Sequence, residues 1–407
     1  MANTIQLFGL VLIGGLLAGE VSRRLAGLPR TTGYVMFGLL SGQSGLGWIS
    51  PLHIESAQLF IDLGLGLILF ELGSLVPRTD LSVARDRLFA GLNIAGLSGL
   101  AMFALLFLAG YSAPDALFAS ALCLATSAAI TIATCSDVGA KGERSGLLYT
   151  MVALNGCLAF TVIAVLMPFL DTTTDSGLLA RLGSALGTIA ISLLIGATCA
   201  GVVLFGARRL ERQPEHHHLL ILGCIVAGVG SAVQLEISVF LPMLIFGYLV
   251  HAFDHQQRVI GIRIASDARV FLVITFVLAG AALDIAHLQH YWPQALAIAG
   301  LRLGGQWLGS WLNRQRLGLS TARECLFLSI GLQPMSSVAL VLLSNTQVLY
   351  AELDPDLVGA LLATLLLMQL FGPLATQTAI KGFGEATRLA PRPKPGDPGI
   401  PQGGNPT

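Results

Sequence analysis

Apolar residues along this chain come in long blocks, with the polar and charged ones gathered between them. A spanning helix needs about 20 mostly apolar residues. Reading the apolar runs between polar or Gly/Pro punctuation predicts thirteen of them, at approximately 4–21, 31–49, 56–76, 87–110, 114–137, 145–170, 178–206, 217–234, 237–252, 267–285, 292–312, 321–345 and 355–380. The charges test that count independently, because cytoplasmic loops are rich in Lys and Arg. The loops after odd-numbered spans hold all but two of the 23 basic residues, from Arg23, Arg24 and Arg30 through Lys141 and Arg144 to Lys381 and the tail. Of the other two, Arg181 lies on the opposite side and Arg302 lies within a span. The alternation predicts a multi-pass protein of an inner (plasma) membrane, with its N-terminus outside and its C-terminus in the cytoplasm.

Composition agrees. Hydrophobic residues make up 54% of the chain and charged ones 11%, against roughly 25% charged in soluble domains. The net charge is zero, so no charge bias points to nucleic acid. The opening MANTIQLFGLVLIGG has no basic n-region and no small-residue cleavage site, and it reads as the first span. Six cysteines lie in apolar stretches without a CxxC pair, which favours buried thiols over disulfides or a metal site. Neither a metal nor a cofactor is expected.

Thirteen spans divide into six, one linker and six. The expected organisation is a transporter domain over 1–380, with a first repeat at 1–171, a linker span at 178–207 and a second repeat at 216–380. The eighth span starts on the cytoplasmic side and the first starts outside, so the repeats are inverted, as in secondary transporters with broken helices near the midplane. The fifth span of each half carries such an interruption, Ala125-Thr126-Ser127-Ala128-Ala129-Ile130-Thr131 in one and Gly331-Leu332-Gln333-Pro334-Met335-Ser336-Ser337 in the other. An ordinary proline kink is the alternative for the second. The Pro- and Gly-rich residues 381–407 are expected to be a disordered cytoplasmic tail.

Several stretches carry a family likeness. LPRTTGYVMFGLLSGQSGLGWISP (28–51), IDLGLGLILFELG (61–73), ATSAAITIATCSDVGAKGERSGLLYTMVALNG (125–156), FLVITFVLAGAALDIAHL (271–288) and GLQPMSSVALVL (331–342) follow in order. Together they resemble the signatures of the monovalent cation/proton antiporter superfamily, which includes the sodium/hydrogen exchanger-like membrane domains. The resemblance implies an all-helical fold of two inverted six-helix repeats with crossed discontinuous helices. It also implies a homodimer, and alternating access that exchanges Na⁺ or K⁺ for protons at a membrane-embedded carboxylate. No enzyme motif such as GxSxG or HExxH is present, and no enzymatic activity is expected.

The chain departs from the family where the chemistry sits. The span-6 aspartate of the family pattern aligns with Gly156, after Asn155, and its span-11 lysine aligns with Gln306, after Arg302. In span 9, Pro242-Met243-Leu244 replaces the family's Gly-Ala-Phe. Either exchange was lost, leaving a sensor, a regulatory subunit or a carrier of another solute, or another carboxylate took over. Asp62 and Glu71 share span 3, but nine residues at 100° each put them on opposite faces. Either one fits a functional or a structural role. Arg302 keeps its charge and shares a face with Gln306; it fits pairing with Glu71 or lining the pathway. Asn155, Thr126, Ser127 and Gln333 offer neutral oxygens to a dehydrated cation, or satisfaction for the broken backbone. Glu20, Asp137, Asp267, Arg269 and Asp284 are expected at solvated span ends. His216-His217-His218 reads as a solvated cap of span 8.

Overall fold

The computed structural model describes residues 4–26, 28–77, 80–170, 178–209, 214–254, 265–336, 339, 342–343 and 353–387. Helices α1 (Thr4–Ala26), α2 (Arg30–Ser41), α3 (Pro51–Ser56), α4 (Gln58–Leu75) and α5 (Leu81–Leu108) are followed by α6 (Ala113–Leu124), α7 (Ala128–Asp137) and α8 (Glu143–Leu170). Then come α9 (Leu178–Arg209), α10 (Pro214–Gln234), α11 (Phe240–Phe253), α12 (Ala265–Ala281), α13 (Ile285–Leu312), α14 (Ala322–Gly331) and α15 (Pro355–Gly382). Among the described residues, six helices are individually long and apolar enough to cross a membrane. Helices α12 and α13 together make a seventh such path, bent by 86°.

The helices group into two bundles by their contacts. One comprises α1, α2, α4, α9, α10, α11 and α12; the other comprises α5, α6, α7, α8, α13, α14 and α15. Within each, small residues let backbones touch, which is how helices associate where the hydrophobic effect offers no drive between them. A Cβ on Gly38 of α2 would strike the Val277 carbonyl of α12, and one on Gly280 of α12 would strike the Val35 carbonyl of α2. The same reciprocity joins α4 to α11 through Gly73 and Gly247. In the other bundle, Gly305 and Gly309 of α13 would each bring a Cβ to 2.6 Å from a backbone Cα of α5, at Ser98 and Ile94 respectively. That close seating fixes the rotation of α13, and with it the face that carries Arg302.

Two local features differ from expectation. Span 2 is shorter than its apolar run: α2 ends at Ser41, where Gly42 packs on Ala281 too closely for a side chain. The chain then turns and enters the six-residue α3. A short helical segment from Ile285, capped by the Asp284 carboxylate accepting from Ala286 N at 2.9 Å, precedes the predicted span 292–312 and joins it within α13 across a kink at Tyr291. The side chains of Asp267 and Arg269 lie outside the described residues.

The tail departs from expectation too. Residues 383–387 are not loose; they dock on the α7–α8 turn. Glu385 accepts from Arg144 N at 2.8 Å and from Ser145 N and Oγ at 2.6 Å each, capping α8 from a distance of 240 residues in sequence. Ala140 and Ala386 form an antiparallel bridge. Residues 388–407 lie outside the described residues.

Gly280→Ala drives a methyl into the α2 backbone, which side-chain adjustment cannot relieve. It is expected to destabilise the purified protein by about 3 kcal/mol, read as a lower melting temperature in detergent. Gly96→Ala, where nothing lies within 4 Å of the added atom, is the matched control.

Candidate functional site

Two helices stop and restart inside the second bundle. Helix α6 ends at Leu124 and α7 begins at Ala128, with Ser127 as N-cap, its Oγ accepting from Ile130 N at 3.2 Å. Helix α14 starts from a capping box of Thr321 and Glu324 and ends at Gly331. Pro334 disfavours helical backbone at the residue before it, and the chain runs extended through Ser336. Residues 337–338, 340–341 and 344–345, in the remainder of that predicted span, lie outside the described residues.

The two breaks meet. Thr126 and Met335 form an antiparallel bridge. Ser127 N donates to Pro334 O at 2.8 Å, and Ser336 N donates to Ala125 O at 3.2 Å. Each extended segment thus satisfies backbone groups that the other leaves open, as irregular backbone inside a bilayer requires.

Arg302, fully buried, is the third component. Its guanidinium donates to Gln333 O, to Leu332 O at 2.9 Å and to Thr126 Oγ1 at 3.2 Å. The first two are carbonyls just past the end of α14, where the helix dipole places negative charge. All the acceptors are neutral oxygens. The guanidinium is therefore spent on the crossing and not on Glu71.

One turn further along α13, Gln306 Oε1 accepts from Gln333 Nε2 at 2.8 Å, and that amide also reaches Ser329 O at 3.1 Å. Asn155 of α8 donates from Nδ2 to Thr126 Oγ1 at 3.4 Å. Six of the eight sequence candidates, Thr126, Ser127, Asn155, Arg302, Gln306 and Gln333, therefore form one buried cluster. Three polar atoms of the cluster, Asn155 Oδ1, Arg302 Nε and Gln306 Nε2, are buried without a partner among the described residues.

Asp62 and Glu71 lie elsewhere. A cavity of about 1030 Å³ opens between the two bundles. Its lining runs from exposed Glu236 to buried Ala128, Ala129 and Ser336 beside the crossing. Asp62 is in its wall and Glu71 is not. One Asp62 oxygen accepts from Gln58 Nε2 at 3.0 Å, and Gln58 lines the same cavity. Thr275 lines it as well, with a buried hydroxyl that lacks a partner among the described residues. Glu71 lies further along α4, within electrostatic reach of Tyr149 on α8.

The place of the absent span-6 carboxylate is filled. A Cβ at Gly156 would run into the ring of Phe240, with Cε1 at 2.7 Å. Phe240 is itself stacked on Phe160, with centroids 4.2 Å apart. Phe240 and Thr275 had no signal in the sequence, since each sits in an unremarkable apolar run.

The model of the sodium/hydrogen exchanger transmembrane family matches residues 8–381. The chain belongs to that family. Its fold resembles the solved sodium proton antiporter MjNhaP1 of Methanocaldococcus jannaschii, with a TM-score of 0.68 at 20% identity, covering 94% of this chain and 98% of that one. Among curated relatives, the high-affinity Na⁺/H⁺ antiporter NhaS3 of Synechocystis is 23% identical over 91% of this chain and 84% of its own. The K⁺/H⁺ antiporter NhaP of Alkalimonas amylolytica is 24% identical over 73% of this chain, which spans 52% of that protein's length. The protein is thus a multi-pass membrane member of the monovalent cation/proton antiporter superfamily.

Removing the guanidinium leaves buried carbonyls unpaired at a cost of about 1–3 kcal/mol each. Arg302→Met is therefore expected to lower the melting temperature sharply. Arg302→Lys, with one nitrogen in place of the planar fork, is expected to fall between the two, as measured by thermal unfolding in detergent.

Proposed function

We propose that this exchanger-family protein is a secondary transporter, not an enzyme, which exchanges a monovalent cation, Na⁺ or K⁺, for protons by alternating access. In this reading its membrane domain is a homodimer of thirteen-span subunits with inverted repeats, its N-terminus outside and its C-terminus cytoplasmic. Family membership and the relatives' antiport activities support the reaction class. The alternation of basic loops supports the topology.

The observation that carries the site is the cavity that connects Asp62 to the crossing. A cation at the crossing itself faces a guanidinium that cannot shed its charge. At about 5 Å and an effective dielectric near 20, that repulsion is roughly 3 kcal/mol. The Thr126 hydroxyl and the Gln333 backbone carbonyl are already engaged by Arg302. Asp62 therefore takes the exchanging role, accepting a cation or a proton from the cavity, with Gln58 and Thr275 as neutral neighbours.

A second reading, a non-transporting sensor or regulatory subunit on the same scaffold, draws on Phe240, whose ring occupies the position of the missing carboxylate.

Proton-flux fluorescence in everted vesicles, with Na⁺, K⁺ and Li⁺ added separately, separates the two readings. Wild type is expected to respond to Na⁺ or K⁺, Asp62→Asn to fall to the vesicle background, and Glu71→Gln to retain the response. A silent wild type with a responsive Gly156→Asp/Phe240→Ala double variant would favour the non-transporting scaffold. Gly156→Asp alone is expected to be inactive in either case, because Phe240 leaves its side chain no room.

A further inference from the structure

An ion-pair cluster bridges the two bundles at the end of α7 remote from the cavity. Asp137, the last residue of α7, faces Arg30, the first residue of α2. Its Oδ1 lies 3.5 Å from Arg30 Nη1, and its Oδ2 accepts from the Arg30 backbone N at 3.2 Å. Arg30 Nη2 also lies 3.3 Å from Glu20 of α1, which holds Arg23 at 2.8 Å and Arg24 at 2.6 Å.

The placement is unfavourable for each helix taken alone. An acidic residue at a helix C-terminus and a basic one at a helix N-terminus both oppose the macrodipole. Helix α2 has Pro29 as N-cap, with no side-chain cap bond of its own. Asp137 supplies that cap from the other bundle. The mismatches cancel only while the two bundles touch here.

The cavity reaches α7 at Ala128 and Ala129. The ten residues of α7 span about 15 Å, so a packed layer including Ile130, Thr131, Ile132, Thr134 and Cys135 separates the cavity from the cluster. We propose that Arg30, Asp137 and Glu20 form a gate that holds the cytoplasmic side of the bundle boundary shut while the cavity is open on the other side. The gate rests on the alternating-access reading above. Its bonds are half-exposed, the side chains of Arg30 and Asp137 being 38% and 19% accessible, and such a pair is weak enough to break once per transport cycle.

Cys135, buried two residues from Asp137, reports the opening without any need for transport. In everted vesicles, a full chain whose sole cysteine is Cys135 is labelled with a membrane-impermeant maleimide. Arg30→Ala and Asp137→Ala are each expected to raise the initial labelling rate about fivefold, the equivalent of roughly 1 kcal/mol. The exchanged pair Arg30→Asp/Asp137→Arg is expected to return it towards the parental rate. A second series with Cys325 as sole cysteine, buried within one bundle, should show no change. The gate is overturned if single variants inserted at parental levels label at the parental rate, if the exchanged pair labels as fast as either single variant, or if Cys325 accelerates in parallel. Accelerated Cys135 labelling in a protein with no cation-dependent proton flux would leave the gate standing and remove the antiport reading.

Discussion

Broken helices inside a bilayer must find hydrogen-bond partners for their freed backbone groups, and this protein meets that demand with one guanidinium and a pair of crossing segments. Backbone around Thr126 bonds backbone around Met335, while Arg302 closes the carbonyl end of α14. Partners left unmade in an apolar interior cost far more than the same bonds contribute net. The positions of α13, α14 and α7 are therefore fixed by satisfying the crossing. Gly305 and Gly309 allow α13 to seat closely enough on α5 for Arg302 to hold its place.

That solution has a chemical consequence. An arginine cannot be neutralised near physiological pH, so the crossing carries a permanent positive charge, compensated by dipoles and neutral oxygens. In the proposed reading a mobile cation is thereby displaced from the crossing, and exchange uses a carboxylate that water can reach. Asp62, in the cavity wall, meets that condition. The cavity lies at the boundary between the bundles, followed along α7 by a packed layer and then by the ion pairs at its far end.

Much of this was legible in the sequence. Apolar blocks and basic loops located the helices, and the Thr-Ser and Gln-Pro interruptions marked both sides of the crossing. Helical spacing put Arg302 and Gln306 on one face, where both contact Gln333. Other features were hidden, because periodicity records that a residue is buried but not what it is buried against. Helical spacing put Asp62 and Glu71 on opposite faces of α4, but only the cavity shows which face it meets. Phe240 looked like any apolar residue until its ring was found over Gly156. Glu385, in a stretch with the composition of a loose tail, is held by backbone donors of α8, a tertiary contact that composition cannot express. Asp137 read as a solvated span end and Arg30 as a basic loop residue, because the two are 107 residues apart.

The most direct test is proton release on cation binding by the purified protein in weakly buffered detergent solution. If Asp62 exchanges the two ions, adding Na⁺ or K⁺ to wild type near the midpoint of its titration releases protons, and Asp62→Asn releases none. Equal release from both proteins would place the exchanging group elsewhere and contradict the assignment of the site to the cavity wall.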